Sequence, residues 1–98
     1  MKEVSIRISG LTGQGIEFAT EVIVRACALR GLNVYTFRWF PTIVRGGYTY
    51  SEIRISEKKI YAPPDIIDIL AILDETGLRD VGNLISENSI ILSDEELS

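Results

Sequence analysis

Val4-Ser5-Ile6-Arg7-Ile8-Ser9-Gly10-Leu11-Thr12-Gly13-Gln14-Gly15, running straight into Ile16-Glu17-Phe18-Ala19-Thr20-Glu21-Val22-Ile23, decides the fold. Val4, Ile6 and Ile8 alternate with Ser5, Arg7 and Ser9, and period two predicts a strand with one buried face. A turn with three glycines follows, over Gly10 to Gly15. From Ile16 the period changes. Ala19, Val22, Ile23, Ala26, Cys27 and Arg30 follow helical spacing, with Glu17, Glu21 and Arg25 on the opposite face. Glu21 and Arg25 form an i,i+4 pair in the favourable order. Gly31 is placed to end the helix at its C′ position. The unit is strand, glycine-rich turn, helix.

Working outward, Asn33 to Phe40 predicts a second strand, apolar on both faces through Val34, Tyr35, Phe37, Trp39 and Phe40. The first three elements then make a βαβ unit whose crossover is expected to be right-handed. Pro41 ends the strand, and residues 41–47 form a loop closed by Arg45-Gly46-Gly47. Tyr48 to Ser56 resumes alternation. Glu57-Lys58-Lys59 is a polar turn, Ile60-Tyr61 a short returning strand, and Pro63-Pro64 punctuation. Ile66 to Leu73 is apolar nearly throughout, as in a central parallel strand covered on both faces. Asp74 is expected to cap a short helix carrying Leu78, Val81, Leu84 and Ile85, before a last strand over Ser89 to Leu92. The tail Ser93-Asp94-Glu95-Glu96 reads as a capping box, with Leu92 and Leu97 as its hydrophobic staple. The chain thus ends on a helix-start signal, and an incomplete domain is expected over residues 1–98. The fold class is α/β: a Rossmann- or flavodoxin-like three-layer arrangement. Its mixed, mostly parallel sheet has about five strands, with two helices.

Composition narrows the function. The 98 residues carry a net charge of −4, with 46% hydrophobic and 24% charged residues. An acidic surface repels phosphate backbones, which argues against a nucleic-acid binder. One cysteine, Cys27, excludes a disulfide framework, a multi-cysteine zinc site and a self-contained iron–sulfur cluster. With no histidine, no imidazole acid–base chemistry operates within the chain. No apolar run is long enough to span a membrane, and residues 1–9 lack a signal-peptide core. The sequence reads as a soluble, cytoplasmic protein that binds no metal or cofactor by itself.

Two segments carry chemistry. The turn from Gly10 to Gly15 follows a strand and opens a helix, where backbone N–H groups bind anions and glycines allow close approach. Its spacing is G-x-x-G-x-G, which matches neither the dinucleotide fingerprint nor a Walker A loop. Arg38, Trp39 and Phe40 stand where a ribose-binding acid is needed. A tight turn that lets helix and strand pack is the plain alternative. In Arg45-Gly46-Gly47, the guanidinium offers a fork of donors for carboxylate or phosphate, or is merely solvated. Seven of the eight aromatics lie between Tyr35 and Tyr61, interleaved with Arg38, Arg45 and Arg54. They read as core or interface rather than as an RNA platform. Cys27, on the apolar stripe, reads as a buried inert thiol. Asp68 interrupts an apolar strand, either as a satisfied buried carboxylate or facing a ligand.

With both glycine motifs placed, the chain resembles the gamma domain of 2-oxoacid:ferredoxin oxidoreductases. The resemblance rests on Gly10-Leu11-Thr12-Gly13-Gln14-Gly15, on Phe40-Pro41-Thr42-Ile43-Val44-Arg45-Gly46-Gly47, on the strand ending Arg54-Ile55-Ser56 and on the Asp65 to Leu73 strand. It is most similar to the form fused at the N-terminus of the alpha chain, and to the N-terminal half of that domain. In that form His often follows the double glycine; here Tyr48 does. The resemblance implies an accessory, non-catalytic part of an enzyme that oxidatively decarboxylates a 2-oxoacid with thiamine diphosphate. That enzyme passes electrons through iron–sulfur clusters to ferredoxin and makes an acyl-coenzyme A. It implies thiamine-binding alpha and beta partners and a ferredoxin-like partner, with the thiamine diphosphate and the clusters on other domains and subunits. For this chain it implies packing on the thiamine domain and helping to enclose coenzyme A. The binding positions carried over are Gly10, Thr12, Gly13, Gln14, Gly15, Arg45, Gly46 and Gly47. A free-standing nucleotide- or anion-binding flavodoxin-like module, and a pure interaction domain, are the readings from other classes. Some of Tyr35, Phe37, Trp39, Ile67 and Ile69 are expected on uncovered apolar surface. The isolated chain is therefore expected to self-associate, most simply as a two-fold dimer.

Overall fold

The computed structural model describes residues 3–11, 13, 15–39, 48–59, 62, 64, 66–73 and 85–93. Within them lie β1 (Glu3–Leu11), α1 (Ile16–Leu29), β2 (Asn33–Trp39), β3 (Tyr48–Ser56), β4 (Ile67–Ile72) and β5 (Ile85–Ser93). The strands form one open sheet in the order β2-β3-β1-β4-β5. β4 runs parallel to β1 and to β5, while β3 runs antiparallel to both β1 and β2. Four strands therefore share one direction and β3 alone opposes them, which is the mixed, mostly parallel α/β sheet the sequence predicts. One detail differs. β2 is parallel to β1 but not its neighbour, because β3 is inserted between them. The expected helix over Asp74 to Ile85 and the short strand at Ile60-Tyr61 lie outside the described residues, except that Ile85 opens β5 rather than closing a helix. β5 is accordingly longer than Ser89 to Leu92.

α1 buries Ile16 and Thr20 and packs the half-buried Ala19, Ile23 and Cys27 against Ile6, Ile8, Val34, Ile53, Ile55 and Ala71 of the sheet, so the Cys27 thiol is only partly buried rather than buried as expected. This stripe is rotated from the one the sequence suggests, and Val22 and Ala26 lie outside it in solvent. Thr20 replaces them. Its hydroxyl donates to the Ile16 carbonyl at 2.8 Å and makes a second hydrogen bond with Ser51 Oγ at 2.9 Å. Such a pairing lets a polar residue occupy a core position without an unmet hydrogen bond. The helix ends as predicted. Gly31 has φ +73°, its N–H donates to Ala28 O, and the Leu32 N–H donates to Cys27 O, the pairing of a Schellman motif.

The sheet's other face is polar at its centre. Ser5, Arg7 and Ser9 of β1 and Glu52 and Ser56 of β3 are all buried. Arg7 and Glu52 are register partners, and the guanidinium donates through Nε (2.9 Å) and NH2 (2.7 Å) to Glu52 Oε2. The Tyr50 ring lies over the same guanidinium, 3.8 Å from its carbon to the ring centroid, and stacks in turn on Trp39 at 5.7 Å and 7°. A buried guanidinium is tolerable only with such partners, since an unpaired charge in this position costs several kcal/mol. Beside this polar strip, Ile67, Leu70 and Ile72 of β4 form a second apolar cluster with Ile85.

β4 meets its neighbours through side chains where the ladders break. Its register with β5 shifts between Ile67 and Ile69, and there Ser89 Oγ donates to the Ile67 carbonyl at 2.6 Å. Asp68 is exposed, not buried, and its carboxylate accepts the Ser5 N–H at 2.8 Å. It extends the β1–β4 pairing one step before the first register pair, Ile6 with Ile69.

Replacing Glu52 by Ala leaves Arg7 buried without its register partner, and urea unfolding should show a loss of about 3–5 kcal/mol. The double variant Arg7→Met, Glu52→Leu should recover most of that loss. A Glu52→Ala variant as stable as the parent contradicts the role given to the pair.

Candidate functional site

The β1–β3 register brings both glycine motifs to one end of the sheet. Leu11 pairs with Tyr48 and Gly10 with Thr49, so the residue entering Thr12-Gly13-Gln14-Gly15 faces the residue that follows Arg45-Gly46-Gly47. Thr12, Gln14, Arg45, Gly46 and Gly47 themselves lie outside the described residues. The C-terminal ends of β1, β2 and β4 share this end, because those strands are parallel, and the Leu73 N–H closes it by donating to Ser9 O at 2.8 Å. From β1 the chain crosses first to one side, to β2, and later to the other, to β4 and β5. β1 is thus the point where the winding reverses, and open α/β sheets bind ligands outside the C-terminal strand ends at such a point.

A cavity of about 470 Å³ opens there, lined by Leu11, Gly13, Gly15, Ile16, Glu17, Phe18, Glu21, Arg38 and Thr49. That volume lies in the range of small-molecule sites. Gly13 and Gly15 have φ of +96° and +83°, and Gly15 is the N-cap of α1 in the left-handed region. A Cβ placed on either would meet nothing within 4 Å. The glycines are therefore not required for helix to pack on strand. The backbone conformation requires them, and it leaves the turn open to solvent. Gly10 departs from the expectation. It is buried within β1, paired with Thr49, and belongs to the sheet rather than to the turn.

The charges around the turn are paired. Glu17, in the first turn of α1, takes an ion pair from Arg38 NH1 at 2.9 Å, and Arg25 NH2 pairs with Glu21 at 2.8 Å. No side chain caps the N-terminus of α1. Its first N–H groups have no acceptor within the helix. Arg38 is the cavity-lining residue that the sequence reading undervalues. Its signal is strand parity: Val34 packs under α1, and Arg38, four residues on, projects from the same face. Among the described residues no group of three or more His, Cys, Asp or Glu is arranged to hold a metal.

Gly15→Ala should cost about 1–2 kcal/mol, the penalty for an L side chain in the left-handed region. Gly15→Asn should cost less, since Asn tolerates that region better. Thermal melts of the two variants check the order. Equal melting temperatures for parent and Gly15→Ala would place the constraint elsewhere.

The pyruvate ferredoxin/flavodoxin oxidoreductase family model matches residues 5–98. The chain is 31% identical over 97 residues to the 2-oxoglutarate synthase subunit KorC of Archaeoglobus fulgidus, covering 98% of this chain and 52% of that one. It is 38% identical over 95 residues to KorC of Methanocaldococcus jannaschii, covering 94% of this chain and 50% of that one. It therefore spans about half the length of these curated relatives. It is also 33% identical over 67 residues to a 2-oxoacid:ferredoxin oxidoreductase subunit alpha from Sulfolobus sp, covering 68% of this chain and 11% of that one. Among solved structures, the 2-oxoglutarate:ferredoxin oxidoreductase of Magnetococcus marinus superposes with a TM-score of 0.87 at 32% identity. That match covers 97% of this chain and 17% of the other, whose structure holds 2-oxoglutarate, coenzyme A and succinyl-CoA. No described helix is long and apolar enough to cross a membrane. A strand–glycine turn–helix unit at the reversal of a mixed sheet, matched over nearly the whole chain in sequence and shape, places this chain in the pyruvate ferredoxin/flavodoxin oxidoreductase family.

Proposed function

We propose that this chain is a non-catalytic gamma-type domain of a cytoplasmic, thiamine-diphosphate-dependent 2-oxoacid:ferredoxin oxidoreductase. It packs on the thiamine-binding domain and helps to enclose coenzyme A while the enzyme makes an acyl-coenzyme A and reduces ferredoxin. The observation that carries this reading is the match over 97% of the chain to an oxidoreductase structure with coenzyme A bound. The names of the KorC relatives make 2-oxoglutarate the first 2-oxoacid to test.

The residues present suit part of that task and not the rest. One cysteine and no histidine cannot ligate an iron–sulfur cluster, so the clusters are assigned to other domains, and the family resemblance assigns the thiamine diphosphate there too. The uncapped N-terminus of α1 and the open backbone at Gly13 and Gly15 suit a phosphate or an amide-rich arm. Glu17 stands beside that terminus, but its pairing with Arg38 blunts the repulsion an anion would feel. Thr12, Gln14, Arg45, Gly46 and Gly47 are proposed to complete the contact from the two loops. The alpha and beta subunits and a ferredoxin are the proposed partners. Alone, the chain is proposed to self-associate.

Co-purification from the native host should bring down an iron–sulfur, thiamine-containing partner, and a chain recovered without one contradicts the assignment. The purified chain should form no acyl-coenzyme A from any 2-oxoacid, even with thiamine diphosphate and coenzyme A added; measurable turnover overturns the accessory role. In the assembled enzyme, Gly13→Val should weaken coenzyme A binding by roughly tenfold, about 1.4 kcal/mol. If melting collapses while coenzyme A affinity is unchanged, the glycine serves the fold alone.

A further inference from the structure

α1 carries a second apolar stripe that the sheet does not use. Phe18 is 73% exposed, Val22 49% and Leu29 89%. With Arg25 they fall at 18, 22, 25 and 29, the four-three-four spacing of a coiled-coil seam. Ala26 lies exposed beside them. Phe18, Glu21, Val22 and Arg25 surround a hollow of about 250 Å³ on the helix surface. Residues i, i+3, i+4 and i+7 are the four that form the hole receiving a knob from a facing helix.

We infer that this stripe is a self-docking surface on which α1 of a second copy packs antiparallel about a two-fold axis. The pattern of charge selects that occupant and that direction. In a parallel pair the two Arg25 side chains meet at the seam and repel. In an antiparallel pair Phe18 meets Leu29 of the second copy, Val22 meets Arg25, and Glu21 meets Ala26. Each Arg25 then lies beside Glu21 of the other copy as well as its own Glu21, with which it already pairs at 2.8 Å. The surface is thus complementary to itself in one orientation, as an isologous contact must be. The small Ala26 side chain at the crossing lets the backbones come close.

Three large apolar side chains per copy make an interface below the ~1,200 Å² of stable complexes, so the dimer forms in the micromolar range or above. This deepens the self-association proposed above but takes its surface from α1, not from the sheet residues expected in the sequence analysis. Of those, Ile67 is buried in the second cluster, while Phe37 and Trp39 are exposed as expected, 36% and 40%, and lie beside the Tyr50 ring.

The test is sedimentation of the 98-residue chain from about 10 μM to 1 mM, paired with isotope-filtered NOE measurement on a mixed labelled sample. A concentration-dependent dimer is expected, with NOEs between the Phe18 ring and the Leu29 methyls. Those residues lie about 16 Å apart along one helix, so such NOEs arise only between copies. Phe18→Glu should raise the dissociation constant at least tenfold without changing the circular dichroism of the fold. Glu21→Arg should do the same, and Glu21→Arg with Arg25→Glu should restore the dimer. A monomer at 1 mM overturns both the surface and the self-association. A dimer that survives Phe18→Glu but is lost in Trp39→Glu keeps self-association and overturns the α1 surface. Phe18-to-Phe18 contacts overturn the antiparallel direction, and capture of the thiamine-binding subunit by this stripe, abolished by Phe18→Glu in a monomeric chain, overturns the second copy as its occupant.

Discussion

β1 is hydrogen-bonded on both edges and buried along most of its length on both faces, and a buried ionic contact helps to hold its register. Arg7 sits opposite Glu52, and the two side chains meet at 2.7 Å out of water. A one-residue slip of β1 against β3 would turn Ile6 and Ile8 away from α1 and bring Arg7 under the helix. The apolar alternation opposes that slip on one face, and the Arg7–Glu52 pair opposes it on the other. Both faces of the same strand therefore specify one register.

Much follows from that register. Pairing β1 with β3 antiparallel separates β2 from β1 and widens the base on which α1 lies. It also sets Leu11 against Tyr48, so two segments more than thirty residues apart in sequence converge on one end of the sheet. The turn between β1 and α1 then stands at the strand end where the winding reverses. Gly13 and Gly15 adopt positive φ in open space, so neither position puts a side chain in the way of an approaching group.

The polar centre of the second face sets this sheet apart from a parallel sheet sealed by apolar side chains on both sides. Arg7, Glu52 and the Tyr50 and Trp39 rings form one continuous stack of ion pair, cation–π contact and ring stacking. In a low-dielectric setting each contact strengthens its neighbour, and the loss of one member strands the others. The helix face is conventional by comparison, with aliphatic side chains and one threonine whose hydroxyl is satisfied.

Period and punctuation by themselves determined the elements. Alternation from Val4 to Ser9 and from Tyr48 to Ser56, helical spacing from Ile16, and Gly31 at the C′ position all specify local backbone states that short-range sterics and solvent partition enforce. The order of the motifs points to the family as well. What the sequence left undecided was long-range. The inward stripe of α1 depends on how the helix is rolled on the sheet, so Thr20 displaced Val22 and Ala26 from the core. The place of β3 between β2 and β1 depends on which edge pairs with which, a choice that alternation leaves open. Arg7 and Glu52 read as two ordinary polar positions in alternating strands, because an ion pair between residues 45 apart exists only once the register is set. Local chemistry chose the elements; only the tertiary structure decided which faces meet, since burial is a property of the assembled sheet and not of any one segment.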